Sequence, residues 1–153
     1  LCALIPVSSS REEAVDAALE LIDKNSLAYE AIEVGKKFVN QSASNLHDHY
    51  GDMSPVHSLN NLAVVIWAFL SFQDSFDEAI GETICCGWDT DCTGATVGGL
   101  IGLDKGSIPE SWTDPWQGRV NTAIAGVGEL KLEDLVERTC KLVDQFSSES
   151  DMD

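Results

Sequence analysis

The residues best suited to chemistry lie in one short stretch, ICCGWDTDCTGATVGG, residues 84–99. Within it, Asp89 and Asp91 stand one residue apart. Carboxylates at this spacing in a loop can converge on one hard cation. If the loop also opens a helix, its backbone N–H groups favour an anionic ligand nearby. The stretch therefore predicts a site that binds a metal ion and an anionic substrate.

The same residues fit three other interpretations to different degrees. Asp91 or Thr93 can simply cap the helix that follows. An EF-hand loop counted from Asp89 needs a bidentate acid at its twelfth position, which here is Leu100. The pattern DxDxT also resembles the nucleophile loop of haloacid-dehalogenase-like phosphatases, but that loop follows a buried β-strand. A helix before Asp89 would argue against the phosphatase.

The elements before this stretch have a helical period. Apolar residues recur at helical spacing over residues 11–23 and 27–40, and the first of these segments follows a possible capping box from Ser10 to Glu13. Residues 41–55 are polar and predict a loop, in which His47 and His49 would be solvated.

The centre of the chain is strongly apolar. Nine apolar residues, Leu62 to Leu70, are too few to span a bilayer and predict a helix buried on all sides, with Asn60 and Asn61 as its caps. A second capping box at Ser75 opens the next helix, over residues 76–86.

The C-terminal part has one clear pattern. An amphipathic stripe over residues 130–146 predicts a closing helix, and the polar stretch 147–153 predicts a disordered acidic tail. Because every long apolar pattern has a period near 3.6, we expect an all-α protein with at least four helices and no sheet over residues 58–146.

Charge and cysteine content exclude several classes of function. The chain has 9 Lys and Arg against 26 Asp and Glu, a net charge of −17. Binding to nucleic acid or to an anionic membrane needs clustered cations, so both are disfavoured as partners. Five cysteines without an export signal predict free thiols in a reducing cytoplasm.

A longer motif points to a family. GWDTDCTGATVGGLIGL, residues 87–103, followed by GSIPESW, closely resembles the signature of the ADP-ribosylglycohydrolase family: a GGDTDT-like loop, a helix of small residues, then Gly, Ile-Pro and Trp. HSLNNLAVVIWAFL and DSFDEAIGETICCG resemble the two helices that lead into that loop, and DLVERT resembles the closing helix. The resemblance is strong over about residues 55–140 and weak before residue 40, and it implies an all-α orthogonal helix bundle.

The resemblance also implies an activity and a cofactor. The family hydrolyses the glycosidic bond between ADP-ribose and a protein side chain or small acceptor, at a binuclear Mg²⁺ or Mn²⁺ site. By position, the ligands here are Asp89, Asp91 and Cys92. Cys92 stands where the family has a hydroxyl, and a thiol is a poor ligand for a hard cation. Either Thr93 or water replaces it, or the second metal binds more weakly. Trp88 also departs from the family motif, because it stands where GGDTDT has its second Gly.

The family's other ligands, an early Glu and a Thr-Asp-Asp triplet, have no counterpart here. We therefore expect residues 1–146 to be the C-terminal portion of one such domain, with a bundle incomplete at its N-terminus and the missing half as a partner. Such a chain would be inactive alone, and the helix at Leu62 to Leu70 would keep an open apolar face. A non-catalytic binding or structural module of the same fold is the alternative.

Overall fold

The computed structural model describes the backbone of residues 1–150 and the side chains of residues 1–146. The chain divides into two units, Leu1–Ile108 and Pro109–Asp153. Residues 1–108 form six α-helices after a short 3-10 turn: α1 (Arg11–Glu20), α2 (Leu27–Lys37), α3 (Ser44–Tyr50), α4 (Ser58–Ser71), α5 (Phe76–Cys85) and α6 (Thr90–Lys105). The all-α expectation is confirmed for this unit.

Serine caps explain where three of these helices begin. The hydroxyls of Ser10, Ser26 and Ser75 each accept a hydrogen bond from the N–H three residues later, at 3.1–3.2 Å. Each bond satisfies a donor that has no partner inside the helix. The first capping box is modified, because the Glu13 carboxylate accepts from the N–H of Ser9 rather than from that of Ser10.

Helix α4 is the centre of the first unit. Every residue from Ala63 to Leu70 is at most 7% exposed. The helix packs against α1, α2, α3, α5 and α6. The expectation of an open apolar face on α4 is therefore wrong, because helices of the same chain cover it.

Helices α2 and α4 approach each other closely at Gly35. A Cβ atom at this position would lie 2.7 Å from the carbonyl oxygen of Ala63 and 2.8 Å from the Cβ of Ile66. Only glycine leaves room for the two backbones to come this close. The small residue therefore sets the distance between α2 and α4.

A buried arginine joins α1 to α4 and α6. Arg11 is 3% exposed, and its Nε donates to the Asp104 carboxylate at 2.9 Å. Its Nη1 donates to the carbonyl of Phe69 at 2.8 Å and to that of Phe72 at 3.2 Å. The guanidinium also lies 4.8 Å from the centre of the Phe69 ring. Pairing and hydrogen bonding of this kind make a buried charge tolerable.

The expected loop over residues 41–55 is wrong in its middle, where α3 lies. This helix has seven residues, and two of them, Leu46 and Tyr50, are buried at 0% and 8% exposure. A helix this short is unstable by itself in water. Burial of two side chains one turn apart stabilises it, which the polar composition of the segment did not indicate.

Residues 109–150 contain the second unit. They form α7 (Glu110–Thr113), a 3-10 turn, strands β1 (Arg119–Asn121) and β2 (Glu129–Lys131), and α8 (Leu132–Ser150). The strands are antiparallel, with Val120 opposite Leu130. The expectation of no sheet between residues 58 and 146 is therefore wrong at this hairpin, because strands of three residues are too short to show a period of two.

The closing helix predicted over residues 130–146 is present as α8. Its apolar side chains are 40–68% exposed: Leu132, Leu135, Val136, Leu142, Val143 and Phe146. The predicted acidic tail, residues 147–153, overlaps the end of α8, and residues 151–153 lie outside the described part of the chain.

Replacing Gly35 by alanine should destabilise the protein. We expect Gly35→Ala to lower the free energy of unfolding by about 1–3 kcal/mol, because the new methyl group would force α2 and α4 apart. Gly81→Ala in α5 is the matched control, since nothing lies within 4 Å of a Cβ there. The control should raise stability by about 0.5–1 kcal/mol. Urea denaturation followed by circular dichroism measures both, and equal midpoints for the two variants would contradict the packing argument.

Candidate metal centre

The site loop connects α5 to α6. Helix α5 ends at Cys85, and α6 begins at Thr90 with Asp89 as its N-cap. Between them, Gly87 and Trp88 both have positive φ, 81° and 62°. Glycine adopts such angles freely, whereas a residue with a side chain loses about 1–2 kcal/mol. The turn therefore contains one strained residue, directly before the first candidate ligand.

Three candidate ligands converge at the start of α6. One carboxylate oxygen each from Asp89 and Asp91 and the Sγ of Cys92 all lie within 4.8 Å of one another. We call these three residues the Asp89 cluster. Asp91 and Cys92 are exposed, and Asp89 is half-buried. Among the described residues, no other set of three or more His, Cys, Asp or Glu side chains comes this close together. The two carboxylates thus lie close together, with Asp89 at the N-cap and Asp91 in the first turn of α6 rather than on one loop.

The charges of the cluster act on its thiol. A hydrogen bond to the Asp89 carboxylate is the largest cause that raises the pKa of Cys92, and the negative charges of Asp89 and Asp91 raise it further. The Cys92 thiol therefore ionises at a higher pH than an isolated cysteine does. The N-terminal end of the α6 dipole is positive and attracts negative charge placed beside it.

Of the side chains in the Asp89 cluster, only the two carboxylates suit a hard cation. Two carboxylates suit Mg²⁺ or Mn²⁺, which prefer oxygen ligands and keep several water molecules. The thiol of Cys92 does not suit such an ion, because sulfur is a soft ligand. Asp89 and Asp91 can therefore hold one ion with water, but they do not supply enough oxygen atoms for two.

Thr93 has a different environment from the cluster. It is 2% exposed, and its hydroxyl donates to the carbonyl of Asp89 at 2.9 Å. The hydrogen bond lies inside the first turn of α6, as is common for threonine in helices. Its hydroxyl hydrogen is thus already paired with the helix backbone.

The sequence suggested that Asn60 and Asn61 cap α4, but in the structure they do not. They lie inside its first turn, and the N-cap is His57. The Asn61 side chain reaches the site loop instead, where its Oδ1 accepts from the N–H of Asp89 at 3.4 Å. Its amide group donates to the carbonyls of Pro55 and His57, both at 2.9 Å. No local sequence pattern indicates this contact.

A histidine from α3 also reaches the site loop. The Nε2 of His47 lies 2.6 Å from the carbonyl oxygen of Cys86. The His47 ring lies 4.1 Å from the Trp88 ring, centroid to centroid, at an interplanar angle of 34°. Tyr50 meets the same indole edge-on at 6.4 Å. The sequence placed His47 in a solvated loop, because no local pattern links it to residues about 40 positions later.

The structure bears on the phosphatase and EF-hand interpretations of Asp89 and Asp91. Helix α5 precedes Asp89, and the described strands are the antiparallel pair β1 and β2, later in the chain. This overturns the phosphatase interpretation, which needs a buried parallel strand before the first Asp. Leu100 lies within helix α6, so the twelve residues from Asp89 do not form an EF-hand loop.

Comparison with known families gives one match. A family model described as ADP-ribosylglycohydrolase matches residues 1–150. The chain belongs to the ADP-ribosylglycohydrolase family. The match begins at residue 1, so the similarity is not confined to residues 55–140 as the motifs suggested. The family and its all-α fold, both expected from the GWDTDC motif, are confirmed.

Further comparisons add little to the family assignment. The search of curated proteins and the search of solved structures gave no match. Among the described residues, no helix combines the length and the hydropathy needed to cross a membrane. The family therefore supports glycohydrolase chemistry in general, without a particular substrate.

The pKa of Cys92 gives a test of the cluster geometry. In metal-free protein we expect Asp89→Asn to lower the pKa of Cys92 and to speed its alkylation by iodoacetamide at pH 8, because the reactive form is the thiolate. Peptide mass spectrometry over a pH series measures this, with the exposed Cys140 as internal control. An unchanged rate at Cys92 would show that Asp89 does not contact the thiol.

Proposed function

We propose that this protein contributes to hydrolysis of the glycosidic bond between ADP-ribose and a protein side chain or small acceptor. The observation that carries the proposal is the convergence of Asp89 and Asp91 in a chain that matches the ADP-ribosylglycohydrolases over residues 1–150. The family supplies the type of reaction. The cluster supplies a place where charge on an anionic substrate can be offset.

The proposed ligands are the carboxylates of Asp89 and Asp91, with Mg²⁺ or Mn²⁺ as the cofactor. Such an ion would polarise substrate hydroxyl groups and a water molecule and would stabilise negative charge that develops during hydrolysis. Asp89 is also the N-cap of α6. Free backbone N–H groups at that helix end would orient a phosphate or hydroxyl oxygen of the substrate.

The charge of the chain favours a role for a cation in binding this substrate. ADP-ribose carries two phosphate groups, and the chain has a net charge of −17. A negative field repels an anionic ligand from the surface. A dication at Asp89 and Asp91 would offset this repulsion locally, because those two carboxylates would then face the metal rather than the substrate.

We also propose that the protein works in a reducing compartment, the cytoplasm. All five cysteines are free thiols in the structure. Disulfides are rare where glutathione and thioredoxin keep thiols reduced.

A second candidate function is a binding or structural module that keeps the fold without turnover. The soft thiol of Cys92 favours it, as does the count of oxygen ligands in the Asp89 cluster. Two dications would need about six ligands each. The remaining ligands of a binuclear site would have to come from groups outside the cluster.

Metal binding tests the ligand assignment. We expect Asp89→Asn and Asp91→Asn each to weaken Mn²⁺ binding at least tenfold, because even hydrogen-bond partners of ligands typically contribute about 10–100-fold. Electron paramagnetic resonance of free Mn²⁺ measures the affinity. Glu20→Gln, an exposed carboxylate of α1, is the matched control and should bind as the unaltered chain does. Equal affinity in all variants would refute the site.

Replacing the Cys92 thiol should change the Mn²⁺ affinity in the opposite direction. Cys92→Thr should strengthen Mn²⁺ binding, because a hydroxyl is a harder ligand than a thiol. Cys140→Thr, on an exposed face of α8, should leave the affinity unchanged. A weaker affinity in Cys92→Thr would show that sulfur is the better donor here and would point to a softer metal such as zinc.

An activity assay can overturn the binding-module alternative. We expect the 153-residue chain alone, with Mg²⁺ or Mn²⁺, to release no ADP-ribose from a modified protein, because the cluster holds only one cation. Release of ADP-ribose measured by chromatography decides the question. Turnover that Asp91→Ala abolishes would show that the site is complete in this chain, and would overturn the binding-module alternative.

A further inference from the structure

We propose that His47 of α3 is a positioning residue for the Asp89 cluster. It acts through two neighbours on the site loop, the Cys86 carbonyl and the Trp88 side chain. The inference rests on the proposed metal site and adds an element that the GWDTDC motif does not contain.

The first contact fixes the peptide at which the site loop begins. A carbonyl oxygen only accepts hydrogen bonds, so the Nε2 of His47 carries the hydrogen and donates to Cys86 at 2.6 Å. Cys86 is the C-cap of α5, where helix carbonyls have no partner inside the helix. His47 thereby satisfies a free acceptor and holds the end of α5.

The second contact supports the strained residue. Trp88 has a φ of 62°, an angle that glycine adopts without cost and tryptophan does not. Its indole packs on the His47 ring at 4.1 Å and meets the edge of Tyr50 at 6.4 Å. Contact between aromatic rings favours the backbone conformation that brings them together. The loop conformation and the stacking therefore depend on each other.

The far end of the loop is held separately. The N–H of Asp89 donates to Asn61 of α4 at 3.4 Å. The two residues with positive φ thus lie between one contact to α3, at Cys86, and one contact to α4, at Asp89. This arrangement fixes where α6 begins and so where its first-turn carboxylates lie.

The exposure of His47 allows a positioning role to be distinguished from a contribution to the stability of the fold. Its side chain is exposed, although its ring has two partners. Truncating an exposed side chain leaves no cavity in the core and changes the stability of the whole fold little. An effect on metal affinity without an effect on unfolding is therefore the signature of positioning.

The first experiment measures Mn²⁺ affinity in the 153-residue chain by electron paramagnetic resonance. We expect His47→Ala to weaken binding about tenfold, the usual effect of removing a group that orients a ligand. Far-UV circular dichroism and the urea midpoint should stay unchanged. His49→Ala is the matched control, because His49 is on the same helix and its ring contacts Tyr50 at 4.5 Å. It should bind Mn²⁺ normally.

The same substitution in a Trp88→Gly variant tests whether His47 acts through its contact with Trp88. In Trp88→Gly, residue 88 adopts its positive φ without support, so adding His47→Ala should weaken Mn²⁺ binding much less than it does beside tryptophan. Equal effects of His47→Ala in both backgrounds would overturn the role of the Trp88 contact. A double variant that binds better than His47→Ala alone would support it.

The outcomes also separate this inference from the proposed function. Mn²⁺ binding that Asp89→Asn leaves unchanged overturns the metal site and the role of His47 together. Binding that is lost in Asp89→Asn but unchanged in His47→Ala overturns only the positioning role. Equal losses in His47→Ala and His49→Ala also overturn it, because α3 would then act only as a packed helix.

Discussion

The burial of helix α4 is the constraint on which the first unit depends. Its residues from Ala63 to Leu70 have no exposed face, so apolar surface must come to it from all sides. Helices α1, α2, α3, α5 and α6 all pack against it. The first turn of α4 also contains Asn61, which contacts the N–H of Asp89. The packing of the core thus reaches directly to the site loop.

Charge in this protein is balanced locally rather than over the whole chain. With a net charge of −17, few carboxylates have a basic partner. Arg11 is buried against Asp104 and two carbonyls, so its charge stabilises the contact of α1 with α4 and α6. At the start of α6, the helix dipole is what favours the two carboxylates of the Asp89 cluster.

The departures from the family motif change the chemistry and the geometry of the loop in different ways. Cys92 places a sulfur beside the carboxylates of Asp89 and Asp91, and sulfur does not suit a hard cation such as Mg²⁺. Trp88 puts a large side chain where glycine would adopt a positive φ freely, and it gains contacts with His47 and Tyr50. At residue 88 the loop therefore has less backbone freedom than glycine would give, and it has aromatic contacts instead.

The sequence by itself determined the features that depend on near neighbours. Serine caps and the 3.6-residue period placed α1, α2, α4, α5 and α8, and the GWDTDC motif placed the two carboxylates, because both signals lie within a few residues. Only the tertiary structure decided that α3 is a helix, that His47 meets Cys86 and that Asn61 meets Asp89. These last contacts join residues 39 and 28 positions apart. No local pattern records such pairs, because packing around α4 brings them together.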